Sequence, residues 1–285
     1  MTSIESWRFI DTGINDGFLN MAIDEAILDA HLRGVCTSTL RVYRWSPPAL
    51  SLGYFKKPET GVEIERCVEL GIDIVRRLTG GHAVLHQDEL TYSIVTSDKY
   101  GFPNKSIAES YALLSRGLIA AYGMLGLEVC LTRHEGTPSS AACFSSVGLA
   151  DLTFQGRKIA GSAQYRTGHA LLQHGSLPIS LDTQLLFSIL KFPSNAIRDR
   201  AQAQFGQNAT TLSEILGNKV SWQELKEALF KGFQIGLGIE LYEDTLTSEE
   251  SELSQKLAGE KYKTFDWNYN GTYETRLASE TASPR

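Results

Sequence analysis

The segment Arg76–Val95, RRLTGGHAVLHQDELTYSIV, constrains the fold more than any other part of the sequence. An apolar run, IDIVRR, leads into its glycine pair and an alternating run, ELTYSIVTS, follows, so the segment predicts strands joined through a tight turn. Two adjacent glycines permit positive φ and close approach of another group to the backbone. We predict that this glycine turn, Thr79–Gly81, offers N–H groups to an anion or a carbonyl oxygen; an ordinary turn between strands is the alternative.

Cationic and imidazole side chains flank the glycine turn. Strand alternation sends Arg76 and Arg77 to opposite faces, which predicts that one enters a site while the other is solvated or paired with an acid. His82 and His86 are four residues apart, a spacing that serves a metal only on a helix, and no carboxylate or cysteine pattern supports a metal here. We therefore predict a hydrogen-bonding histidine, such as His86, in a pocket, and no metal site.

A second polar segment, Cys143–Leu177, contains further candidates for chemistry. ADLTFQ and RKIAGSA are predicted strands of a hairpin with Gly156 in its turn, and HALLQHGSLPI is the next predicted strand. Lys158 stands among apolar residues, where a desolvated amine would polarise a carbonyl or exchange protons; a snorkelling or salt-bridged lysine is the ordinary alternative. His174 and Gly175 would supply more donors nearby.

The four cysteines are widely spaced and contain no CxxC pair, which argues against a disulfide framework or a zinc site. Cys36, Cys67 and Cys130 have apolar neighbours and are predicted as small buried side chains. Cys143 follows a run of small polar residues over 133–142, which we predict as a loop. It is a candidate exposed nucleophile, and Lys158 is the cation that would stabilise its thiolate.

Composition and patterning predict one α+β (mixed α/β) domain. The chain has 285 residues, 42% hydrophobic and 21% charged, without a linker or an internal repeat. Helical spacing covers 17–33, and the pattern is mostly helical from 182 onward. The predicted domain spans 1–270, and 271–285 is a polar tail that we expect to be flexible. Capping-box spacing occurs at Thr60/Glu63, Ser106/Glu109, Thr211/Glu214, Ser221/Glu224 and Thr247/Glu250.

Charge and hydropathy exclude two classes of partner. The net charge is −6 and the sequence pI is about 5.6, so no broad basic surface for nucleic acid is expected. The N-terminus lacks the pattern of a signal peptide, and no apolar run approaches the roughly 18 residues that span a bilayer. We therefore expect a cytoplasmic protein that binds neither nucleic acid nor a membrane.

Together these segments resemble the lipoate–protein ligase A and octanoyltransferase family. One signature is RRLTGGHAVLHQDELTYSI, a second is GRKIAGSAQ followed by QHGSL, and WRFIDTGINDGFLNMAIDEAIL and SLGYF also match. The likeness covers roughly residues 5–270. It implies the catalytic domain shared with biotin protein ligases: mixed sheets flanked by helices, with a helical C-terminal portion.

Within that family the chain is most similar to the cysteine-dependent octanoyltransferases, on its CF element before GRKIAGSAQ and its C-terminal DWNYN. The resemblance implies that octanoate passes from octanoyl–acyl carrier protein, through a thioester on Cys143, to a lysine of a lipoyl domain in lipoate biosynthesis. The acceptor would be glycine cleavage H protein or a 2-oxoacid dehydrogenase E2, Lys158 would be the second catalytic residue, and no cofactor is required. The implied substrate contacts are Arg76, Thr79, Gly80, Gly81, His86, Ser162, Ala163, His174 and Gly175.

Three alternatives stay open at this point. An ATP-dependent lipoate–protein ligase would hold lipoyl-adenylate with Arg76 and the glycine turn. An amidotransferase would move octanoate from H protein to other lipoyl domains, also through a cysteine. A non-catalytic lipoyl-domain-binding protein would need neither Cys143 nor Lys158.

Since the implied protein partners are acidic, docking would need a local positive rim. The candidates for that rim are Arg41, Arg44, Lys56 and Lys57.

Overall fold

The elements follow the hydrophobic periodicity of the sequence. The structure, a computed structural model, describes residues 4–97, 105–132, 151–217 and 220–273. Its strands are β1 (Ser6–Asn15), β2 (Thr39–Trp45), β3 (Ala49–Leu52), β4 (Asp73–Arg76), β5 (Val84–His86), β6 (Asp88–Ser97), β7 (Cys130–Leu131), β8 (Leu152–Phe154), β9 (Arg157–Thr167), β10 (Ala170–Ser180) and β11 (Glu240–Asp244). Its helices are α1 (Gly17–Leu32), α2 (Ile64–Glu69), α3 (Ile107–Met124), α4 (Thr183–Ser188), α5 (Asn195–Asn208), α6 (Leu212–Leu216), α7 (Trp222–Leu237) and α8 (Ser248–Leu257). A 3₁₀ turn, Pro58–Thr60, and two π-helical turns, Ala258–Tyr262 and Asp266–Asn270, complete the described elements.

Two sheets organise the described part of the chain. Eight strands form one mixed sheet in the order β11-β1-β2-β6-β10-β9-β8-β7, and three form a smaller sheet in the order β4-β3-β5. In the large sheet β1 is parallel to both β11 and β2. The remaining neighbours in the sheet, β2–β6, β6–β10, β10–β9, β9–β8 and β8–β7, pair antiparallel. The glycine turn leaves β4 and returns into β5 and β6, so it lies where the two sheets meet.

Strand alternation divides the large sheet between two layers of helices. Leu40 and Val42 of β2 face the core under α3 and α7, while Tyr43 and Trp45 of the same strand pack against α1 and the C-terminal segment. This arrangement is the period-two consequence of a strand covered on both faces. A separate core joins the small sheet to α2, α4 and α5. The predicted α+β class is confirmed.

The predicted local signals are mostly confirmed. The hairpin of β8 and β9 has Gln155 and Gly156 at positive φ in its two-residue turn. Full capping boxes form at α3, α7 and α8, where Ser106, Ser221 and Thr247 each exchange hydrogen bonds with the Glu three residues later. At α6 the cap is partial: Thr211 accepts from the backbone N–H of the residue three positions on, whose carboxylate is engaged elsewhere.

One local prediction is wrong, and the C-terminal portion, mostly helical as predicted, contains one strand that was not predicted. Thr60 does not cap α2, because its hydroxyl donates to the carbonyl of Lys57, and Glu63 is the N-cap without a side-chain bond. β11 interrupts the predicted helical C-terminal portion and pairs with β1. Only Leu241 is buried in this five-residue strand, so alternation gave no signal for it.

Some predictions concern residues that the structure does not describe. The predicted loop over 133–142 and Cys143 both lie outside them, as does 274–285 of the predicted tail, so the boundary at 270 stays a prediction. Within the described ranges, no helix combines the length and apolar composition needed to cross a bilayer.

Candidate functional site

A cavity of about 850 Å³ opens beside the glycine turn. Gly80 and Gly81 line it from one side, and Ser162 and Ala163 of β9 line it from the other, so four predicted substrate contacts share one space. Its volume is within the roughly 300–1,000 Å³ typical of ligand pockets. Apolar and aromatic side chains on its wall include Leu28, Leu32, Leu78, Ile107, Tyr111 and Tyr165.

The glycine turn directs its carbonyl groups into the protein. Arg77 Nη2 donates to the carbonyls of Gly80 and His82 at 2.9 and 2.7 Å, and the backbone N–H of Tyr54 donates to the carbonyl of Thr79 at 2.9 Å. Arg77 is 5% exposed, so these bonds are shielded from water. The carbonyls of Thr79 and Gly80 are therefore occupied.

The backbone of Gly53 packs closely against the glycine turn. A Cβ added at Gly53 would lie 2.1 Å from the carbonyl oxygen of Gly81, so that position accommodates only glycine without displacement. Gly81 has φ of +95°, a conformation that side chains disfavour. Among the described residues, none accepts a hydrogen bond from the N–H of Gly80 or Gly81. The turn thus has two N–H groups available beside the cavity, and their predicted contact with an anion or a carbonyl oxygen stays a prediction.

His174 lies behind the turn. Its Nε2 is 2.7 Å from Thr79 Oγ1, and its Nδ1 is 3.0 Å from Asp24 Oδ2. Burial lowers the pKa of His174, an effect that the carboxylate only partly opposes. Burial alone would raise the pKa of Asp24, but Arg41 at 2.6 Å and His174 outweigh it and lower that pKa. His174 therefore supports the predicted contact residue Thr79 from the protein interior.

His86 occupies a similar buried position. Its Nε2 is 2.8 Å from Ser51 Oγ and its Nδ1 is 2.8 Å from Glu89 Oε1, and its ring stacks on Trp45 with centroids 4.0 Å apart. Both ring nitrogens are engaged by protein groups. The predicted substrate contact by His86 stays a prediction, and such a contact would require it to release one of these partners.

Lys158 is buried, with 7% exposure, and its Nζ lies 3.0 Å from Asp151 Oδ2. The carboxylate supplies the counter-charge that a buried ammonium needs. The stem of Lys158 crosses Gly161, where an added Cβ would lie 2.9 Å from Cε. The sequence analysis missed Asp151; a buried lysine in an apolar strand was the available signal that a carboxylate should be near.

His82 follows the glycine turn and lies within electrostatic range of Lys158. Burial is the largest cause of its lowered pKa, and the charges of Lys56, Lys158 and Arg77 lower it further. Three cations thus lie within electrostatic range of the residue that follows the turn. The surroundings favour negative charge at this end of the cavity.

Arg76 anchors the C-terminal segment. It is 2% exposed, and its Nε donates to the carbonyl of Trp267 at 2.8 Å. Both Trp267 and Gly271 line the cavity, so Arg76 supports a wall of it. Neither Arg76 nor Arg77 is solvated, which corrects one of the two states expected for the arginine outside the site; pairing with an acid stays a prediction. The carbonyls that accept from Arg76 are those of Gly53, Tyr54, Trp267, Asn268 and Tyr269.

The described cysteines differ in exposure. Burial raises the pKa of the Cys36 and Cys67 thiols to about 11, so both stay protonated near neutral pH. Cys67 is buried as predicted and Cys36 is half-buried. Cys130 is exposed, contrary to prediction, because the two-residue strand β7 forms the edge of the sheet. The predicted nucleophile, Cys143, lies outside the described residues.

The predicted positive rim needs two corrections. Arg41 is fully buried, because it pairs with Asp24 in the interior. Arg44 is half-buried and lies over the ring of Trp222. Lys56 and Lys57 are exposed as predicted, next to Tyr54 and Phe55 at the cavity. Within the described residues, no group of three or more His, Cys, Asp or Glu side chains is arranged to hold a metal ion.

Residues 16–234 match the family described as the lipoyl protein ligase A/B catalytic domain. The chain belongs to this family. Among curated relatives, octanoyltransferase LipM of Geobacillus kaustophilus is 42% identical over 273 residues, which cover 93% of this chain and 98% of the relative. Octanoyltransferase LipM of Kyrpidia tusciae is also 42% identical, over 93% of this chain and 99% of the relative. These relatives confirm the predicted activity, an acyltransferase acting in protein lipoylation.

Solved structures of the lipoyl protein ligase A/B family share the fold. A bipartite lipoate protein ligase of Thermoplasma acidophilum has a TM-score of 0.79 and 25% identity, covering 96% of this chain and all of that one. A lipoate–protein ligase A bound with ATP has a TM-score of 0.76 and 26% identity, covering 94% of this chain and 99% of that one. The predicted ligase-like catalytic domain is confirmed.

Proposed function

We propose that this octanoyltransferase works through a thioester on Cys143, with Lys158 and the glycine turn assisting. The observation that supports this mechanism is the pair of Gly80 and Gly81 N–H groups, for which no described residue is an acceptor, beside a cavity with an apolar wall. The charge of the buried Lys158, paired with Asp151, reaches His82, the residue after the turn. Acyl transfer needs donors where negative charge develops on the carbonyl oxygen. It also needs an apolar space for the chain, and both features meet here.

In the first half-reaction the thiolate of Cys143 attacks the thioester carbonyl of an octanoyl–acyl carrier protein. A new S–C bond forms, the bond to the carrier sulfur breaks, and the carrier leaves as a thiol after taking up one proton. The N–H groups of the glycine turn hold the oxyanion, each contributing about 3–4 kcal/mol where well placed. The ammonium of Lys158 favours the attacking thiolate over the thiol.

In the second half-reaction a neutral lysine amine of the acceptor attacks the octanoyl-enzyme. An amide C–N bond forms, the S–C bond breaks, and Cys143 leaves as a thiol that carries the amine proton. When the Cys143 thiolate re-forms it releases one proton, which balances the proton taken up by the carrier. The acceptor lysine, mostly protonated near neutral pH, releases one further proton to solvent when it becomes the neutral amine. Amide formation from a thioester is downhill, so neither ATP nor another cofactor takes part.

The cavity provides a basis for selecting chain length. Its apolar wall is built from α1, the start of α3 and β9. Each methylene that it buries contributes about 0.8 kcal/mol, so depth discriminates between acyl chains. We propose octanoyl–acyl carrier protein as donor and a lipoyl domain, of H protein or of an E2, as acceptor. A donor of this kind places the reaction in the cytoplasm.

Intact-mass measurement after mixing with octanoyl–acyl carrier protein tests the proposal. Wild-type protein should gain the mass of one octanoyl group, and Cys143→Ala should gain none. Cys130→Ser is the matched control, because Cys130 is the exposed thiol among the described cysteines and should be dispensable. An adduct that persists in Cys143→Ala, or one lost in Cys130→Ser, would reject the assignment.

An ATP-dependent ligase is the second candidate, because the solved neighbours include a lipoate–protein ligase A bound with ATP. In that mechanism Arg76 would contact the adenylate. Its five N–H donors are all directed at backbone carbonyls here, so a contact with the adenylate would require Arg76 to release some of them, as would the substrate contact implied for the transferase. ATP–pyrophosphate exchange dependent on free lipoate or octanoate would establish the ligase instead.

A further inference from the structure

Behind the glycine turn, two buried chains of carboxylate, histidine and hydroxyl end on one guanidinium. The first runs from Asp24 through His174 to Thr79, with contacts of 3.0 and 2.7 Å. The hydroxyl of Thr79 then accepts from Arg77 Nε at 3.1 Å. All four side chains are buried, so water does not compete for these bonds.

The second chain repeats this arrangement with a carboxylate from β6 of the large sheet and a histidine and a hydroxyl from the small sheet. It runs from Glu89 through His86 to Ser51, with both contacts at 2.8 Å. The hydroxyl of Ser51 accepts from Arg77 Nη1 at 2.9 Å. Ser51 is on β3 and Thr79 is on the glycine turn, so Arg77 joins the small sheet to the turn beside the cavity.

The chemistry of the donors and acceptors decides which group donates in each hydrogen bond of the two chains. A guanidinium can only donate, so the hydroxyl oxygens of Thr79 and Ser51 must accept from Arg77. The carboxylate beside each Nδ1 can only accept, so the proton of a neutral imidazole lies on Nδ1, and its Nε2 accepts the proton of the hydroxyl. Each histidine keeps its proton on Nδ1 and donates it to the carboxylate. Proton positions are assigned here from the network.

The remaining donors of Arg77 hold the turn. Nη2 binds the carbonyls of Gly80 and His82, and Nη1 also binds the carbonyl of Ser51 at 2.9 Å. All five N–H groups therefore have an acceptor. Rotating Arg77 would release the carbonyls of the turn and redirect its N–H groups away from the cavity.

We propose that His174 and His86 are positioning residues for the acyl transfer. As neutral imidazoles they orient the hydroxyls of Thr79 and Ser51. Those hydroxyls fix Arg77, which sets the direction of the N–H groups in the glycine turn. This inference rests on the proposed function for its catalytic consequence, whereas the geometry of the turn is measurable without activity.

Protonation of His174 would place a second donor against a hydroxyl that already accepts from Arg77. The chain would lose its direction, so the amides of the glycine turn should respond to pH. Burial lowers the pKa of His174, which places this response below its ordinary titration range. The charged and titratable groups that face His174, directly or through Asp24, are Asp24, Arg41, Tyr43, Arg77 and His86.

Valine at position 79 removes the hydroxyl while keeping the side-chain shape, and serine keeps the hydroxyl. The ¹H–¹⁵N resonances of Gly80 and Gly81 report the geometry, and stopped-flow acylation by octanoyl–acyl carrier protein reports kcat and KM. In Thr79→Val we expect shifted amides that no longer respond to acidification, and kcat lowered about tenfold or more with KM little changed. Thr79→Ser should rescue both, and Thr37→Val, at an exposed threonine, is the matched control.

Wild-type amide shifts and wild-type kcat in Thr79→Val would overturn the inference. So would a fall in rate that follows a lower melting temperature while the amides stay unchanged. If Thr79→Val does not fold, Ser51→Ala tests the second chain with the same readouts. If the wild type forms no acyl-enzyme, the proposed function fails, while the pH response of Gly80 and Gly81 still decides whether the histidines position the turn.

Discussion

At the scale of single residues, the buried pair of Lys158 and Asp151 serves both stability and chemistry. Lys158→Ala removes the ion-pair partner of the buried Asp151 carboxylate, a loss that typically costs about 3–5 kcal/mol of the free energy of unfolding. The same substitution removes the cation that the proposed mechanism uses to stabilise the Cys143 thiolate, so both half-reactions should slow. Urea unfolding and rapid-quench acylation measure the two effects.

The double variant Lys158→Met/Asp151→Leu separates stability from chemistry. Replacing a buried ion pair by apolar side chains of similar volume is often neutral or stabilising. The double variant should therefore regain stability while its transfer rate stays low. Recovery of the rate along with the stability would make Lys158 a structural residue only.

The buried His174 makes stability depend on pH in a defined direction. Its pKa is lowered in the folded state, so the unfolded chain binds more protons as pH falls below about 6.5. The stabilisation is complete above that pH and is lost as pH falls through the folded pKa. Urea unfolding between pH 7.5 and 5 should show this decline in wild type and a smaller one in His174→Gln. Equal slopes in the two proteins would contradict the expectation.

At the scale of elements, the turn Asp266–Asn270 depends on Arg76. Arg76→Lys keeps the charge but offers three donors in place of five, so at least two backbone carbonyls lose a partner, at about 1–3 kcal/mol each. The cavity wall at Trp267 should loosen, lowering the melting temperature and the preference for octanoyl over decanoyl donors. Arg66→Lys, at an exposed arginine of α2, is the control. Unchanged chain-length selectivity in Arg76→Lys would show that this wall does not contact the acyl chain.

At the scale of the whole molecule, local signals were predictable and long-range partners were not. The capping boxes and the Gln155–Gly156 hairpin depend on residues within four positions of each other, so the groups that interact can be identified from the local sequence. β11 forms only because β1, more than two hundred positions away, offers its edge. The site divides in the same way: the glycine turn is a local motif, whereas Asp24, the partner of His174, lies on another element.

The surface at the cavity mouth provides the last prediction. Phe55 is 86% exposed beside the exposed Lys56 and Lys57, so an apolar side chain and two cations face solvent together. Such a surface favours an acidic protein partner through a faster encounter. Lys56→Glu/Lys57→Glu should raise KM several-fold for both protein substrates and weaken its dependence on salt, with a smaller effect on kcat through the charge of Lys56 at His82. Arg116→Glu/Lys231→Glu changes the charge equally on α3 and α7 and should leave KM unchanged. Equal effects of the two double variants would mean that net charge, and not this surface, guides the partners.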